Sequence, residues 1–208
     1  MTQASKLTLH GMKLSGHTHK VELLLNLIGQ PYQFVETGAP ERASAAFLAL
    51  NPLGQIPVLQ DGERVLADSH GILVYLARRY APQGGWLGED SASGAAELQR
   101  WLSIAAGDVR FGPAAARVMC LWKGPGDLGQ ARKIAARVLG FMDQHLASRP
   151  FLAAENVTIA DVACYSYVAH APEGGVALTP YPAVQAWLAR IEALPGFVGM
   201  PRSAVTEA

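Results

Sequence analysis

The chain has little charge and no surplus of either sign. Only 16% of its 208 residues are charged, with 17 Lys and Arg against 17 Asp and Glu. Without a basic surplus there is no electrostatic footprint for nucleic acid or for an anionic membrane, so a small molecule or a second copy of the chain is the expected partner. Cysteine is scarce too. Cys120 and Cys164 are the only two, and neither lies in a C-x-x-C pair. That excludes a disulfide framework and fits a reducing, cytoplasmic setting. The opening MTQASKLTLHG has no apolar run of the kind a signal peptide carries, and no stretch approaches the length needed to cross a bilayer. No internal repeat is found. Half of the residues are hydrophobic, which argues against disorder, and the length allows one large domain or two small ones.

Strand and helix signals alternate over the first 80 residues. Leu7–Gly11 reads as a strand ending at glycine. Val21, Leu24, Leu25 and Ile28 fall on one helical face, with Gly29 as the stop signal. Pro31–Thr37 reads as a second strand and Ala43–Leu50 as a short helix halted by Asn51-Pro52. Pro57–Gln60 and Arg64–Ala67 form a hairpin around Asp61-Gly62, and Ile72–Tyr80 is a third helix, apolar on most sides. The order is βαβ, α, ββα. The Gly-, Ser- and Pro-rich run 81–94 follows, and no strand is found after it. Ala95 to about Met119 reads as helix with a kink at Gly112-Pro113, and Gly124–Gly129 as a turn. Three further helices have core faces at Ile134, Val138 and Phe141; at Ile159, Val162, Ala163, Ser166, Tyr167 and His170, ended by Pro172; and at Val184, Trp187, Leu188 and Ile191. This divides the chain into an α/β unit over 1–82, a linker over 83–94 and an all-helical unit over 95–208, with a polar, frayed tail after Met200.

Three places stand out. In LGQIPVL (Leu53–Leu59), Pro57 lies at the start of an apolar, partly β-branched run, although proline cannot donate to a ladder. Either it sits at an edge with an ordinary trans bond, or the Ile56–Pro57 bond is cis and the backbone of Ile56 faces something other than a strand. Asp68-Ser69 precedes the third helix, where unpaired N–H groups favour a carboxylate; both residues are also ordinary N-caps. In LSGHTHKV (Leu14–Val21), Ser15 and Thr18 have the spacing of a C-x-x-C redox pair but carry hydroxyls, which cannot shuttle electrons. His17 and His19 have no clustered third ligand, so no metal is expected. Thr158 and Asp161 have the spacing of a structural capping box.

A βαβαββα order with a proline entering the third strand describes a thioredoxin-like domain, here followed by an all-helical one. With NPLGQIPVL (51–59), ADSHGILVYL (67–76) and TIAD (158–161), the chain resembles the cytosolic glutathione S-transferase family over nearly its whole length. The resemblance implies a cis Pro57, with Ile56 pairing its backbone to the cysteinyl part of glutathione as a strand would. It implies that Ser69 holds the γ-glutamyl carboxylate, with Asp68 near the ligand's amino group and Gln55 a weaker candidate at the glycyl end. Ser15 would activate the thiol by hydrogen bonding to the thiolate, as in serine-type members. The chain departs from the family's Ser-Pro, Ser-Gly-Asn and Thr-Pro-Asn patterns. His17 stands where an asparagine often assists, and Thr18 is the reserve donor. The acceptor pocket is expected near Trp101, Ile104, Asp108, Arg110 and Phe111, none assigned a role.

The implied reaction is conjugation of glutathione, the co-substrate, to a small hydrophobic electrophile by a homodimer without metal. Disulfide reduction at the same site and a non-catalytic binding module are the alternatives.

Overall fold

The computed structural model describes residues 7–203. Strand β1 (Leu7–Gly11), helix α1 (Gly16–Leu27) and strand β2 (Tyr32–Glu36) form a βαβ unit, with β1 and β2 parallel and Leu9 opposite Phe34. Strand β3 (Val58–Asp61) runs antiparallel to β1, with Leu9 opposite Leu59, and β4 (Arg64–Ala67) antiparallel to β3. The sheet order is β2-β1-β3-β4. The hairpin turns at Gly62-Glu63, where Gly62 supplies the positive φ of 60° that such a short loop demands. This is the thioredoxin-like α/β unit. Strand β3 begins one residue later than expected, at Val58, so Pro57 precedes the ladder and no pair is lost to its missing N–H. The Ile56–Pro57 peptide is cis.

The single helix expected over Ala43–Leu50 is two: α2 (Ala39–Arg42) and α3 (Ala45–Leu50). Ser44 breaks them apart because its side chain caps the Phe47 N–H at 3.2 Å. Helix α4 (Ser69–Tyr80) starts ahead of Ile72. It buries Ile72, Leu73, Leu76 and Ala77 but exposes Arg78 and Arg79, so it is one-sided rather than apolar on most sides. Helix α1 is buried more widely than its four expected positions, because the sheet covers one flank and the helical unit another.

The second unit contains no strand among the described residues. Helix α5 (Ala92–Ile104) begins inside the expected linker, where Ser91 caps the Gly94 N–H at 3.0 Å. It continues as a π-helical segment (Ala105–Ala114) and then as α6 (Ala115–Trp122). The expected kink at Gly112-Pro113 therefore takes the form of wider turns: the Ala115 N–H reaches back to the Arg110 carbonyl. Proline fits there because it has no N–H to leave unpaired. Gly112 admits the backbone of α7 (Leu128–Leu146), since a Cβ there would lie 2.7 Å from the Ala135 nitrogen. That close crossing sets the core face of α7 on Ala131, Ala135, Val138, Leu139 and Met142. Ile134 and Phe141 flank it instead of forming it, and Phe141 stacks on Trp101. Helix α7 starts within the expected turn, capped by Asp127.

Helix α8 (Ile159–Ala169) is buried on all sides and opens with the expected capping box. Asp161, fully buried, also accepts from the Leu152 N–H and the Trp187 indole, both at 2.9 Å. A short 3₁₀ turn (Ala171–Gly174) and α9 (Pro182–Glu192), with Val184, Trp187, Leu188 and Ile191 inward, complete the unit. The tail expected to fray after Met200 is held as far as Ser203, whose N–H donates to Glu173 at 3.1 Å; residues 204–208 of that expectation, and residues 1–6 of the N-terminal one, lie outside the described residues. No helix among the described residues is long and apolar enough to cross a membrane.

Candidate active site

A cleft of about 540 Å³ opens between the two units. One wall comes from the β1–α1 loop, the segment before β3 and the start of α4. The opposite wall comes from the π segment, α6 and α8. Of the residues singled out in the sequence, Ser15, His17, Gln55, Ile56, Pro57, Asp68 and Ser69 all line it.

Ser15 is the N-cap of α1. Its oxygen accepts from the Thr18 N–H at 3.3 Å. A hydroxyl has two acceptor lone pairs and one donor, so the cap leaves its O–H free to donate into the cleft. The two readings of Ser15, helix cap and ligand contact, are geometrically compatible. Thr18 is not brought to the cleft. It is fully buried, faces the Met12 N–H through its hydroxyl at 3.4 Å, and packs against Gly11, where a Cβ would meet it at 2.2 Å. The reserve-donor role assigned to Thr18 is therefore withdrawn. Gly16 is required by Tyr167, whose ring a Cβ would approach to 2.6 Å.

The backbone N–H and carbonyl of Ile56 have no hydrogen-bond partner among the described residues. Ile56 lies two residues before the first β3 pair of the β1–β3 ladder and lines the cleft, so its free backbone groups are available to an extended peptide. Asn51 holds the preceding turn, donating to the Gln55 carbonyl at 2.8 Å.

Asp68 has a φ of 70°, a left-handed value costly for a residue other than glycine, and such outliers cluster at ligand sites. Its carboxylate accepts from the N–H groups of His70 and Gly71 at 2.9 Å and so caps α4. The first N–H of the helix, that of Ser69, has no partner among the described residues. A carboxylate arriving there would meet this N–H, the Ser69 hydroxyl and the positive end of α4.

His17 stands edge-on to Tyr167, with ring centroids 5.0 Å apart, and its Nδ1 lies 3.4 Å from the Ser69 hydroxyl. Burial holds its imidazole far below the ordinary range, helped by the charges of Lys20 and Arg110, so His17 is neutral. His70 is lowered to about 4 by burial and by Lys20. His19 is not in the cleft: it bridges the two units, bonding the Ser166 hydroxyl at 2.8 Å and the Val198 carbonyl at 2.9 Å.

Sequence reasoning missed Lys20, His70, Arg117, Val118 and Trp122 as neighbours of the site, and took Tyr167 for core. Of the five expected acceptor-pocket neighbours only Arg110 lines the cleft. Trp101 is fully buried and Phe111 is 55% exposed. Lys20 is fully buried beneath the site, with its ammonium 3.1 Å from His70 Nε2 and no carboxylate within ion-pairing distance among the described residues. Burial lowers its pKa to about 8. Between that value and the 10.5 of an unfolded lysine, the unfolded state binds more protons, so this group makes stability rise with pH across the window. Lys20→Met is expected to stabilise the chain at neutral pH by roughly 1–2 kcal/mol and to lack that rise. Urea unfolding of both proteins below and above the window tests it, and a destabilised variant at neutral pH sinks it.

No group of three or more metal-ligating side chains is found among the described residues. The arrangement offers an open edge for a peptide backbone, a helix N-terminus for a carboxylate and a hydroxyl at a second N-terminus for an anion.

The family model described as the glutathione S-transferase N-terminal domain matches residues 9–84, and the one for the C-terminal domain matches residues 127–195. Glutathione S-transferase 3 of Zea mays is 37% identical over 92% of this chain and 91% of its own. A glutathione S-transferase crystal structure from Pseudomonas fluorescens superposes with a TM-score of 0.86 at 31% identity, covering 94% of this chain and 99% of that one. A glutathione transferase homolog of Drosophila mojavensis, solved with bound glutathione, gives 0.80 at 26% identity, covering 92% and 89%.

Proposed function

The chain belongs to the glutathione S-transferase family and is a transferase, and from that premise we propose that it conjugates glutathione to the electrophilic carbon of a small hydrophobic substrate. The observation that carries this reading is the unpartnered backbone of Ile56, which lies in one cleft with Ser15 and Ser69 at two helix N-termini. Glutathione is a short peptide with a free thiol and two carboxylates. Its cysteinyl backbone pairs with Ile56, its γ-glutamyl carboxylate lies at the Ser69 N–H, and Gln55 is near its glycyl end.

The thiol then points at Ser15. A thiol with pKa ~8.5 is mostly protonated at neutral pH, and each unit of lowering needs about 1.4 kcal/mol. One charge-assisted hydrogen bond from the Ser15 O–H, added to the positive end of α1, is of that size. His17, neutral, positions Ser69 and shields the thiolate from water. The thiolate attacks carbon, the C–S bond forms, and the leaving group departs with its electron pair. The working form we infer is a cytosolic homodimer; the exposed apolar side chains of Leu48 and Leu53 are consistent with a subunit contact.

Retention on immobilised glutathione, elution by free glutathione, and turnover of a chromogenic aryl chloride are the expected results. Retention without turnover of any electrophile would instead identify a glutathione-binding module.

A further inference from the structure

We propose that the acceptor wall of the cleft takes an electrophile with an apolar, aromatic body and an anionic substituent, a carboxylate or sulfonate, held by Arg110 and Arg117. This rests on the conjugation reading above, because it assigns the other wall to glutathione.

The wall is made by Ala106, Arg110, Arg117, Val118, Trp122 and Tyr167. Its charge is all of one sign. Among the described residues the only carboxylate lining the cleft is Asp68, which belongs to the glutathione wall and is engaged in capping α4. Arg110 is exposed and lines the cleft; its guanidinium makes no hydrogen bond or ion pair among the described residues and has the Phe111 ring, 5.3 Å from its carbon, as a cation–π contact. The carboxylate nearest to it in sequence, Asp108, is taken by Arg137. Arg110 lines the same cleft as Ser15, His17 and Tyr167.

Arg117 is the second observation. It is 1% exposed, its Nε donates to Glu173 at 2.6 Å, and its Nη1 donates to the Leu14 carbonyl at 2.9 Å. Its Nη2 is buried with no hydrogen-bond partner among the described residues. A buried donor left unpaired is costly, and buried polar groups without partners call for an explanation. The Trp122 ring packs over the guanidinium, with the Arg117 carbon 5.1 Å from the ring centroid, yet Trp122 is 47% exposed and Val118 is 41% exposed. A planar substrate lying on Trp122 and Val118 would bring its anionic substituent to Arg110, with the guanidinium of Arg117 adding its charge from under the Trp122 ring. A neutral electrophile would leave both cations as they are.

The test compares para-chloro-dinitrobenzoate, with nitro groups flanking the chlorine, and its methyl ester. In both, the thiolate sulfur bonds to the ring carbon, chloride leaves with its electron pair, and the thiol proton goes to solvent. The quantity read is kcat/KM divided by the uncatalysed second-order rate constant, which removes the greater intrinsic reactivity of the ester. The expected enhancement is ~10-fold or more larger for the acid, as one charge-assisted contact supplies. Arg110→Met brings the ratio toward one, and Arg110→Lys keeps part of it. Arg110 is exposed and unbonded, so the substitution does not threaten the fold. A ratio near one in the native protein, or one that Arg110→Met leaves unchanged, overturns the proposal. If neither compound turns over, the conjugation reading fails by itself. The wall is then judged by calorimetric binding of unreactive dinitrobenzoate and its methyl ester to the glutathione-saturated protein. Tighter binding of the acid in the native chain but not in Arg110→Met supports the anion site, and equal binding overturns it.

Discussion

Ser15→Ala is expected to leave a folded chain that still binds glutathione, while the bound thiol returns toward the ~8.5 of a free one and kcat/KM for an aryl chloride falls by roughly 10²- to 10³-fold. The magnitude is that of removing one preorganised donor aimed at a developing or resident anion. Binding survives because the Ile56 edge and the Ser69 N–H do not depend on the Ser15 side chain. Two consequences separate the roles of Ser15. Loss of the α1 cap costs about 0.5–2 kcal/mol and is read in unfolding. Loss of the thiolate donor is read in ultraviolet absorbance of bound glutathione against pH. Ser15→Thr keeps both and should recover most of the shift. His17 and His70, both held below the ordinary histidine range, add no ionisation of their own near neutral pH, so below the Lys20 value of about 8 the profile should follow the thiol. An unshifted thiol in the native complex would remove Ser15 from its proposed role. Tyr167, which keeps its proton because burial raises its pKa to about 12, would be the next donor to examine.

The cleft wall carrying Ser15, Ile56 and Ser69 is legible because local backbone chemistry marks those positions, while their roles toward glutathione are what the family resemblance implies. A proline entering a strand, a cap pair before a helix and a hydroxyl at a helix start each constrain their own few residues. Ile56, Ser69 and Ser15 could be placed without knowing what packs on them. Thr18 was misplaced for the opposite reason. Its spacing from Ser15 is right for the cleft, but whether it faces cleft or core is decided by Gly11, which leaves room for it on β1. The acceptor half was scarcely legible. Arg117 and Tyr167 reach the site from α6 and α8, whose sequences show only an amphipathic and a mostly apolar helix. Lys20 has the signature of a surface lysine, and its complete burial is a tertiary fact. The helical core faces shifted by small amounts wherever a small residue let backbones close in, as Gly112 does with Ala135.

Arg117→Met is expected to cost about 3–5 kcal/mol, because it strands a buried carboxylate. Glu173 is 5% exposed and takes Arg117 on one oxygen and the Ser203 N–H on the other. The loss should appear as a Tm lower by roughly 6–20 °C for a chain of this size. Glu173→Gln should be milder, since the amide oxygen can still accept from Arg117. The double substitution Arg117→Met with Glu173→Leu removes both charges and should recover most of the stability, as buried pairs replaced by apolar side chains do. It should not recover the activity. Arg117 Nη1 also holds the Leu14 carbonyl, the residue before Ser15, and no substitution at Glu173 replaces that bond. The helical unit thus fixes the loop that presents Ser15 through one guanidinium, and through the Tyr167 ring packed on Gly16. If the double variant is stable and its bound thiol is as acidic as in the native protein, that tether is dispensable and Ser15 is positioned by α1 alone. If it is stable and the thiol is less acidic, the second unit sets the geometry of the nucleophile as well as the shape of the acceptor wall.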